Sequence, residues 1–303
     1  MHGELVPSRN DEYLLYQILL GTWPLEPMEP DALDVYRERI QAYMLKAVRE
    51  AKVHTSWISP SEQYESALSD FISTMLGRLD PNPFLKDFFV AQSLITHYGL
   101  LNGISQTLIK FASPGVPDIY QGNELWDFSL VDPDNRRPVD YARRAAALER
   151  LQLRFPPDRD CSRQARSLVD NMADGDIKLY VIWRLLSLRS AQPELFERGD
   201  YQPLEAIGEK TQHVCAFVRR QGVQSLIAVA PRLIFQLTGG SGGLPMGETT
   251  WKDTRLPLHE VASRQRWRDI MTGREFAPDQ DTKAGLPLAS LLQDFPVALL
   301  HSV

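Results

Sequence analysis

Residues 113–141 constrain the fold of this chain more than any other stretch, because prolines and glycines interrupt a sequence that is otherwise helical on both sides. Pro114 and Pro117 exclude an α-helix at its start. Residues 118–120 then have the pattern of a very short strand, which Gly122 ends. A passage from helix to strand and back to helix is typical of an α/β fold.

A polar loop follows this predicted strand and supplies the candidate site. Carboxylates, amides, guanidiniums and an indole just beyond the carboxyl end of a strand are typical of a site for a polar ligand. Sugars are bound in this way, because carboxylates and guanidiniums bind hydroxyls while an aromatic face contacts C–H groups. The candidate substrate-binding residues are Asp118, Tyr120, Gln121, Glu124, Trp126, Asp132, Asn135, Arg136 and Arg137.

Hydrophobic periodicity divides the chain into a mostly helical part, residues 1–196, and an all-β part, residues 197–303, for which a sandwich is the expected arrangement. Helices are predicted over residues 11–20, 31–52, 61–79, 84–111, 138–155 and 177–190. Strands are predicted over residues 213–219, 225–230, 267–270 and 297–301, and Trp251 is expected in another strand-like piece.

Composition excludes several classes of function. The chain has 303 residues and a formal net charge of -6, and its basic residues do not cluster, so no nucleic-acid partner is expected. Cys161 and Cys215 match no ligand spacing, so we expect no metal and no cofactor, and two cysteines suit a reducing compartment. No apolar run is long enough to span a membrane, which predicts a soluble cytoplasmic protein without a membrane partner.

Several strings carry a family resemblance. GVPDIYQGNE at residues 115–124 resembles the eighth-strand segment of the α-amylase superfamily (glycoside hydrolase family 13). The longer string YQGNELWDFSLVDPDNRRPVDY at residues 120–141 resembles the maltooligosyl trehalose synthases more specifically. Further strings agree in family order: RNDEYLLYQ at 9–17, REAKVHTSW at 49–57, PELFERGDY at 193–201, WKDTRL at 251–256 and FPVALL at 295–300. The resemblance covers only the C-terminal part of those longer enzymes.

The resemblance implies the C-terminal remainder of a (β/α)8 barrel, containing its eighth strand, followed by an antiparallel β-sandwich. It implies an isomerase of trehalose biosynthesis, which converts the reducing-end α-1,4 linkage of a maltooligosaccharide into an α,α-1,1 linkage by intramolecular transglucosylation. In that superfamily the reactive carboxylates follow strands four, five and seven, the last in a His-Asp pair. This sequence has no His-Asp pair. No residue is therefore predicted to be catalytic, and the chain is expected to be inactive without the N-terminal part of the barrel.

The sequence is compatible with several alternatives. Asp118 and Glu124 are disfavoured as an independent acid/base dyad, because each carboxylate can be satisfied by backbone N–H groups or by Arg136 or Arg137. The polar loop either grips a glucose or forms a salt-bridged support for the rim. The whole chain is either part of a synthase, a non-enzymatic glucan-binding or scaffolding module, or part of another transglycosylase or hydrolase of the superfamily.

Overall fold

The computed structural model describes residues 6–156, 159–258, 266–276 and 285–303. Contacts divide the chain into two compact units. Unit 1 comprises Met1–Thr96 and Asp127–Pro138, and unit 2 comprises His97–Trp126 and Val139–Val303. These units do not correspond to the predicted boundary near residue 197, which separates the remainder of a barrel from a β domain. That boundary stays a prediction.

Unit 1 is helical, as its periodicity predicts. Its helices are α1 (Arg9–Thr22), α2 (Pro30–Ala51), α3 (Glu62–Met75) and the first half of α4 (Pro83–Ala112). Ser8 begins α1 by accepting a hydrogen bond from the Asp11 amide at 3.2 Å, which satisfies a donor that the first turn leaves open. Leu19, Ile40 and Ile72 are fully buried in one apolar cluster, so the three helices form a core of their own.

Unit 2 begins with the second half of α4 and adds further helices, which are α5 (Tyr141–Arg154), α6 (Ser162–Asp170), α7 (Asp176–Ala191) and α8 (Pro193–Arg198). Asp140 caps α5 by accepting from the Arg143 amide at 2.9 Å. Helix α6 was not predicted. It is nine residues long and buries only Ala165, Leu168 and Val169, which is too short an apolar pattern to distinguish from a loop.

The sheets of unit 2 are antiparallel, as the strand pattern predicts. The strands are β1 (Gln202–Pro203), β2 (Val214–Gln221), β3 (Gln224–Pro231), β4 (Arg255–Leu256), β5 (Trp267–Asp269), β6 (Glu275–Phe276), β7 (Leu286–Pro287) and β8 (Ala298–Ser302). The six-stranded sheet has the order β1-β2-β3-β8-β5-β6, and β4 pairs with β7 separately. The finer prediction, that this part forms a sandwich, stays a prediction.

Both faces of the central strands are buried, and each face belongs to a different apolar cluster. Ala228 and Leu299, which are paired in the sheet, pack in the cluster that contains residues of α5 to α7. Ile227 and Leu300, the neighbouring pair, pack with Trp267 in the cluster on the other side. Alternation along a strand sends successive side chains to opposite faces, so burial of both faces explains the continuous apolar run in β3.

Two local predictions were wrong. Residues 118–120 form no strand, because no strand of the described part of the chain pairs with them. Trp251 ends a short helix (Gly247–Trp251), and its indole Nε1 donates to the Pro245 carbonyl at 2.9 Å, which holds the fully buried ring in place. Across the residues that the structure describes, no helix has the length and apolarity that crossing a bilayer requires.

Candidate functional site

The polar stretch predicted to form one site is divided between the two units. Unit 2 holds Asp118, Tyr120, Gln121, Glu124 and Trp126, whereas unit 1 holds Asp132, Asn135, Arg136 and Arg137. Within each unit, ion pairs and hydrogen bonds hold the predicted residues in place. Several of these bonds come from residues that the sequence patterns did not single out.

In unit 1 the framework is built around Asp134. The Arg39 guanidinium, on α2, donates from Nε and Nη2 to the two oxygens of this carboxylate, at 2.9 Å each. The Leu130 amide donates to Oδ2 at 2.7 Å, and Arg137 forms a longer ion pair at 3.3 Å. The side chains of Arg39 and Asp134 are 17% and 13% exposed. This two-pronged, largely buried pair is the kind that fixes a loop in one conformation.

The electrostatics of Asp134 follow from these partners. Burial raises the pKa of a carboxyl group, but the hydrogen bonds and charge of Arg39, with the Leu130 amide, outweigh burial and lower the pKa of Asp134 below its ordinary value. The group is therefore held as a carboxylate. Residues Asp134–Arg136 then form one 3-10 turn that presents the next side chains.

The four predicted residues of unit 1 surround this turn. Arg136 is ion-paired with Asp132 at an exposed position. The Asp132 carbonyl accepts a hydrogen bond from Lys46 Nζ on α2 at 2.7 Å. Arg137 Nη2 donates to the Ser129 hydroxyl at 3.1 Å. Asn135 is partly buried, and its side-chain oxygen has no hydrogen-bond partner among the described residues.

A cavity of about 150 Å³ adjoins this framework within unit 1. It is lined by Arg39, Ala42, Tyr43, Lys46, Val131, Asp132, Pro133 and Asp134. Arg39, Tyr43 and Lys46 line it from α2, and most of its lining surface is apolar because Arg39 and Asp134 are already paired with each other. Its volume suits several water molecules or part of a polar ligand.

In unit 2 the corresponding anchor is the pair of Glu124 and Arg144. Arg144 Nε donates to the Glu124 carboxylate at 3.0 Å, and its Nη2 and Nη1 donate to the carbonyls of Gly122 at 2.6 Å and Asp140 at 3.0 Å. Of the alternatives that the sequence offered for Glu124, pairing with Arg136 or Arg137 was wrong, because Arg144 takes that place. One guanidinium thus joins the turn at Gly122 to the start of α5, and Glu124 serves as its counter-ion.

Trp126 is held from several sides. Its indole Nε1 donates to the Met172 carbonyl at 2.6 Å, and the Lys178 ammonium lies 5.5 Å from the ring centroid. Gly103 on α4 makes room for the ring, since a Cβ there would stand 3.2 Å from the Trp126 ring. The indole is therefore a fixed, half-buried wall of the loop.

The remaining predicted residues of unit 2 are open to solvent. Tyr120 is 46% exposed, and Asp118 and Gln121 are also exposed. Tyr120 borders a groove of about 300 Å³. The groove is lined by Gly103, Gln106, Thr107, Lys110, Phe111, Ile119, Tyr120, Asn123, Lys178 and Ile182. Amide, hydroxyl and ammonium groups along an apolar floor are suited to a hydroxylated ligand.

Sequence reasoning missed Arg39, Lys46 and Arg144. Arg39 lies 95 residues from Asp134, and no local pattern connects them. Arg144 is nearer, since it follows the polar stretch in the first turn of α5 and lies 20 residues from Glu124. Among the residues that the structure describes, no group of three or more His, Cys, Asp or Glu side chains is placed to hold a metal ion.

No family model matches the chain. The chain is 34% identical over 286 residues, 94% of its length, to a protein of Mycobacterium tuberculosis named as a maltooligosyl trehalose synthase, and covers 31% of that protein. The chain therefore spans about a third of the length of the curated relatives that it matches.

Solved structures show the same partial coverage. The maltooligosyltrehalose synthase from Arthrobacter ramosus matches 96% of this chain with a TM-score of 0.73 and 34% identity, and the match covers 32% of that enzyme. A Sulfolobus tokodaii protein described as a hypothetical maltooligosyl trehalose synthase matches 97% of the chain with a TM-score of 0.64 and 27% identity. The resemblance read from the motifs is confirmed: the chain is similar to the C-terminal part of these synthases.

Proposed function

We propose that this chain supplies the C-terminal part of a maltooligosyl trehalose synthase and acts with an N-terminal part that contains the reactive carboxylates. The observation that supports this most strongly is the similarity along 94% of the chain to about a third of such an enzyme. The complete enzyme would convert the reducing-end α-1,4 linkage of a maltooligosaccharide into an α,α-1,1 linkage by intramolecular transglucosylation.

In this proposal the chain contributes the last part of a (β/α)8 barrel. Residues 117–121 lie between α4 and α5, where the last barrel strand is expected. They have no strand partner in the described part of the chain, and strands of the N-terminal part would supply the missing hydrogen bonds. Residues 197–303 would then form the β domain that follows the barrel.

The carboxylates of the polar stretch are better suited to support than to reaction. Retaining glycoside chemistry needs a nucleophile and an acid/base group about 5 Å apart. Glu124 is the counter-ion of Arg144, and Asp134 is held as a carboxylate by Arg39. An acid must release a proton and a nucleophile must be free to attack, so neither group fits these roles.

The role that remains is to bind the sugar and keep water out. During transglucosylation the cleaved glucose must stay in place until it is reattached, because water would otherwise hydrolyse the glycosyl-enzyme. We assign this role to the nine predicted residues as two groups, each within its own unit, with Arg39 fixing the loop of unit 1 and Arg144 that of unit 2. Tyr120 and Trp126 would contact sugar C–H groups, and Arg136 and Asn135 would bind hydroxyls.

Complementation tests the proposal. The 303-residue chain is assayed with maltopentaose alone, then with the N-terminal part of the Arthrobacter ramosus enzyme, ending where similarity to this chain begins. A non-reducing product that forms only with both parts supports the proposal, and the N-terminal part alone is the control. Glucan binding at micromolar affinity without turnover in any mixture would instead identify a non-enzymatic glucan-binding module.

A further inference from the structure

The connection between α2 and α3 combines a rigid backbone with an exposed aromatic side chain. Trp57 lies in this connection and is 57% exposed, although large apolar side chains are normally buried. Ile58 beside it is 97% exposed. Trp57 and Ile58 together expose apolar surface in one short loop, which suggests a binding surface.

A partly buried polar network holds the loop in place. Glu65 on α3 receives both prongs of the Arg49 guanidinium, at 2.8 and 2.6 Å, and also the Thr55 hydroxyl at 2.6 Å. The Thr55 hydroxyl in turn accepts from the Ser61 amide at 2.9 Å. Both ends of the loop are therefore tied to the same carboxylate.

The same network positions the indole. The Arg49 guanidinium lies 4.8 Å from the centroid of the Trp57 ring, so one side of the ring is covered by a cation that Glu65 already holds. The hydrogen bonds between Arg49 and Glu65 lower the pKa of Glu65, which keeps it charged. The indole remains more than half exposed, which leaves ring surface available to a ligand.

The chemistry of the loop favours an uncharged ligand. Residues 53–61 read VHTSWISPS and contain no Asp, Glu, Lys or Arg. Three hydroxyl side chains follow Thr55 within this segment, at positions 56, 59 and 61. An aromatic face with neighbouring hydroxyls, whose one adjoining cation is already neutralised by Glu65, matches a neutral pyranose, which presents C–H groups on its ring face and hydroxyls at its edge.

We propose that Trp57, which lies outside residues 113–141 in the sequence, is a platform for a glucose unit of an α-1,4-glucan chain. The inference rests on the proposed function for the identity of the sugar. Because Arg49, Thr55 and Glu65 fix the loop before any ligand arrives, binding requires little further ordering. The platform would favour longer maltooligosaccharides over glucose.

The test labels the six tryptophans of the full chain with 5-fluorotryptophan and follows their ¹⁹F resonances. Trp57→Phe assigns the Trp57 resonance by its disappearance. Maltoheptaose is expected to shift that resonance in a saturable way, and glucose at the same hexose concentration is expected to shift it at least about fivefold less. The matched control is Tyr13→Ala on α1, which removes another exposed aromatic side chain of unit 1, 63% exposed, and is expected to leave the shift unchanged.

Two outcomes would overturn the inference. A Trp57 resonance that maltoheptaose does not move would exclude the platform. A resonance that moves instead when the N-terminal part is added without sugar, and then no longer responds to maltoheptaose, would show that the surface is a protein interface. Failed complementation, by contrast, would reject the proposed function and leave the resonance shift as it was measured.

Discussion

The two halves of the polar stretch satisfy their polar groups in different ways. In residues 127–138, Asp134 collects hydrogen bonds from Arg39 and Leu130, and the loop is completed within unit 1. In residues 113–121, one anchor is the bond from Arg189 to the Gly115 carbonyl at 2.8 Å, and the segment that follows is largely exposed.

The difference shows which of the two segments finds its hydrogen-bonding partners within its own unit. A loop whose charges are paired by its own unit reaches its conformation alone, whereas an extended segment without a strand partner leaves backbone groups to be paired elsewhere. Residues 127–138 therefore form a support that unit 1 completes by itself. Residues 113–121 form an edge with which strands of the N-terminal part would pair.

The largest expected effect is that of Arg39→Met. It removes the main partner of the buried Asp134 carboxylate, so we expect a loss of about 2 kcal/mol in the free energy of unfolding of the chain, measured with urea. The matched control is Arg137→Met, which removes the longer and more exposed ion pair to the same carboxylate, and should cost less than about 0.5 kcal/mol. Equal losses would show that Asp134 is not anchored by α2.

Limited proteolysis compares the two halves directly. Chymotrypsin should cut after Tyr120 about tenfold faster than after Phe128, because an unpaired, exposed segment opens more readily than a loop held by ion pairs. Adding the N-terminal part should slow the cut after Tyr120 and leave the rate at Phe128 unchanged. Uniform resistance of the chain alone would contradict the contrast.

A smaller loss of stability is expected from a change at Trp126, which connects the polar stretch to the rest of unit 2. Trp126→Phe keeps an aromatic ring but removes the Nε1 donor, so the Met172 carbonyl loses its partner. We expect a loss of about 1 kcal/mol in the free energy of unfolding. Trp183→Phe, on α7, is a control for the general effect of shortening an indole. An unchanged stability would mean that the indole hydrogen bond does not hold the loop.

The smallest expected effect is a pH dependence. Because the folded pKa of Asp134 lies below its unfolded value, the pair stabilises the fold above the ordinary carboxyl pKa and this contribution is lost as the pH falls through the folded pKa. Burial opposes the lowering by Arg39, which keeps the effect small. Urea unfolding at neutral pH and near pH ~3 should therefore show a steeper acid loss for the wild type than for Asp134→Asn. Equal losses of stability on acidification in the wild type and in Asp134→Asn would show that Asp134 does not contribute to the pH dependence.

Sequence periodicity predicted the longer helices because each buries one regular set of apolar side chains, as in α2. It predicted β3 because burial of both faces gives that strand a continuous apolar run. It was wrong at residues 118–120, where the local pattern is strand-like but a strand also requires a neighbour. The same limit applies to the site. Local composition singled out Asp132, Glu124 and Trp126 as candidates, whereas Arg39 and Arg144, which pair with carboxylates of the polar stretch, were recognisable only after folding brought them to the loop.

The claim that the reactive carboxylates lie outside this chain is tested most directly by counting reducing ends. The purified 303-residue chain is incubated with maltopentaose, and reducing ends are measured over time. The proposal predicts that their number stays constant until the N-terminal part is added and then falls as the terminal linkage becomes α,α-1,1. A fall in reducing ends with the chain alone would contradict the proposal, because it would place the catalytic groups within these residues.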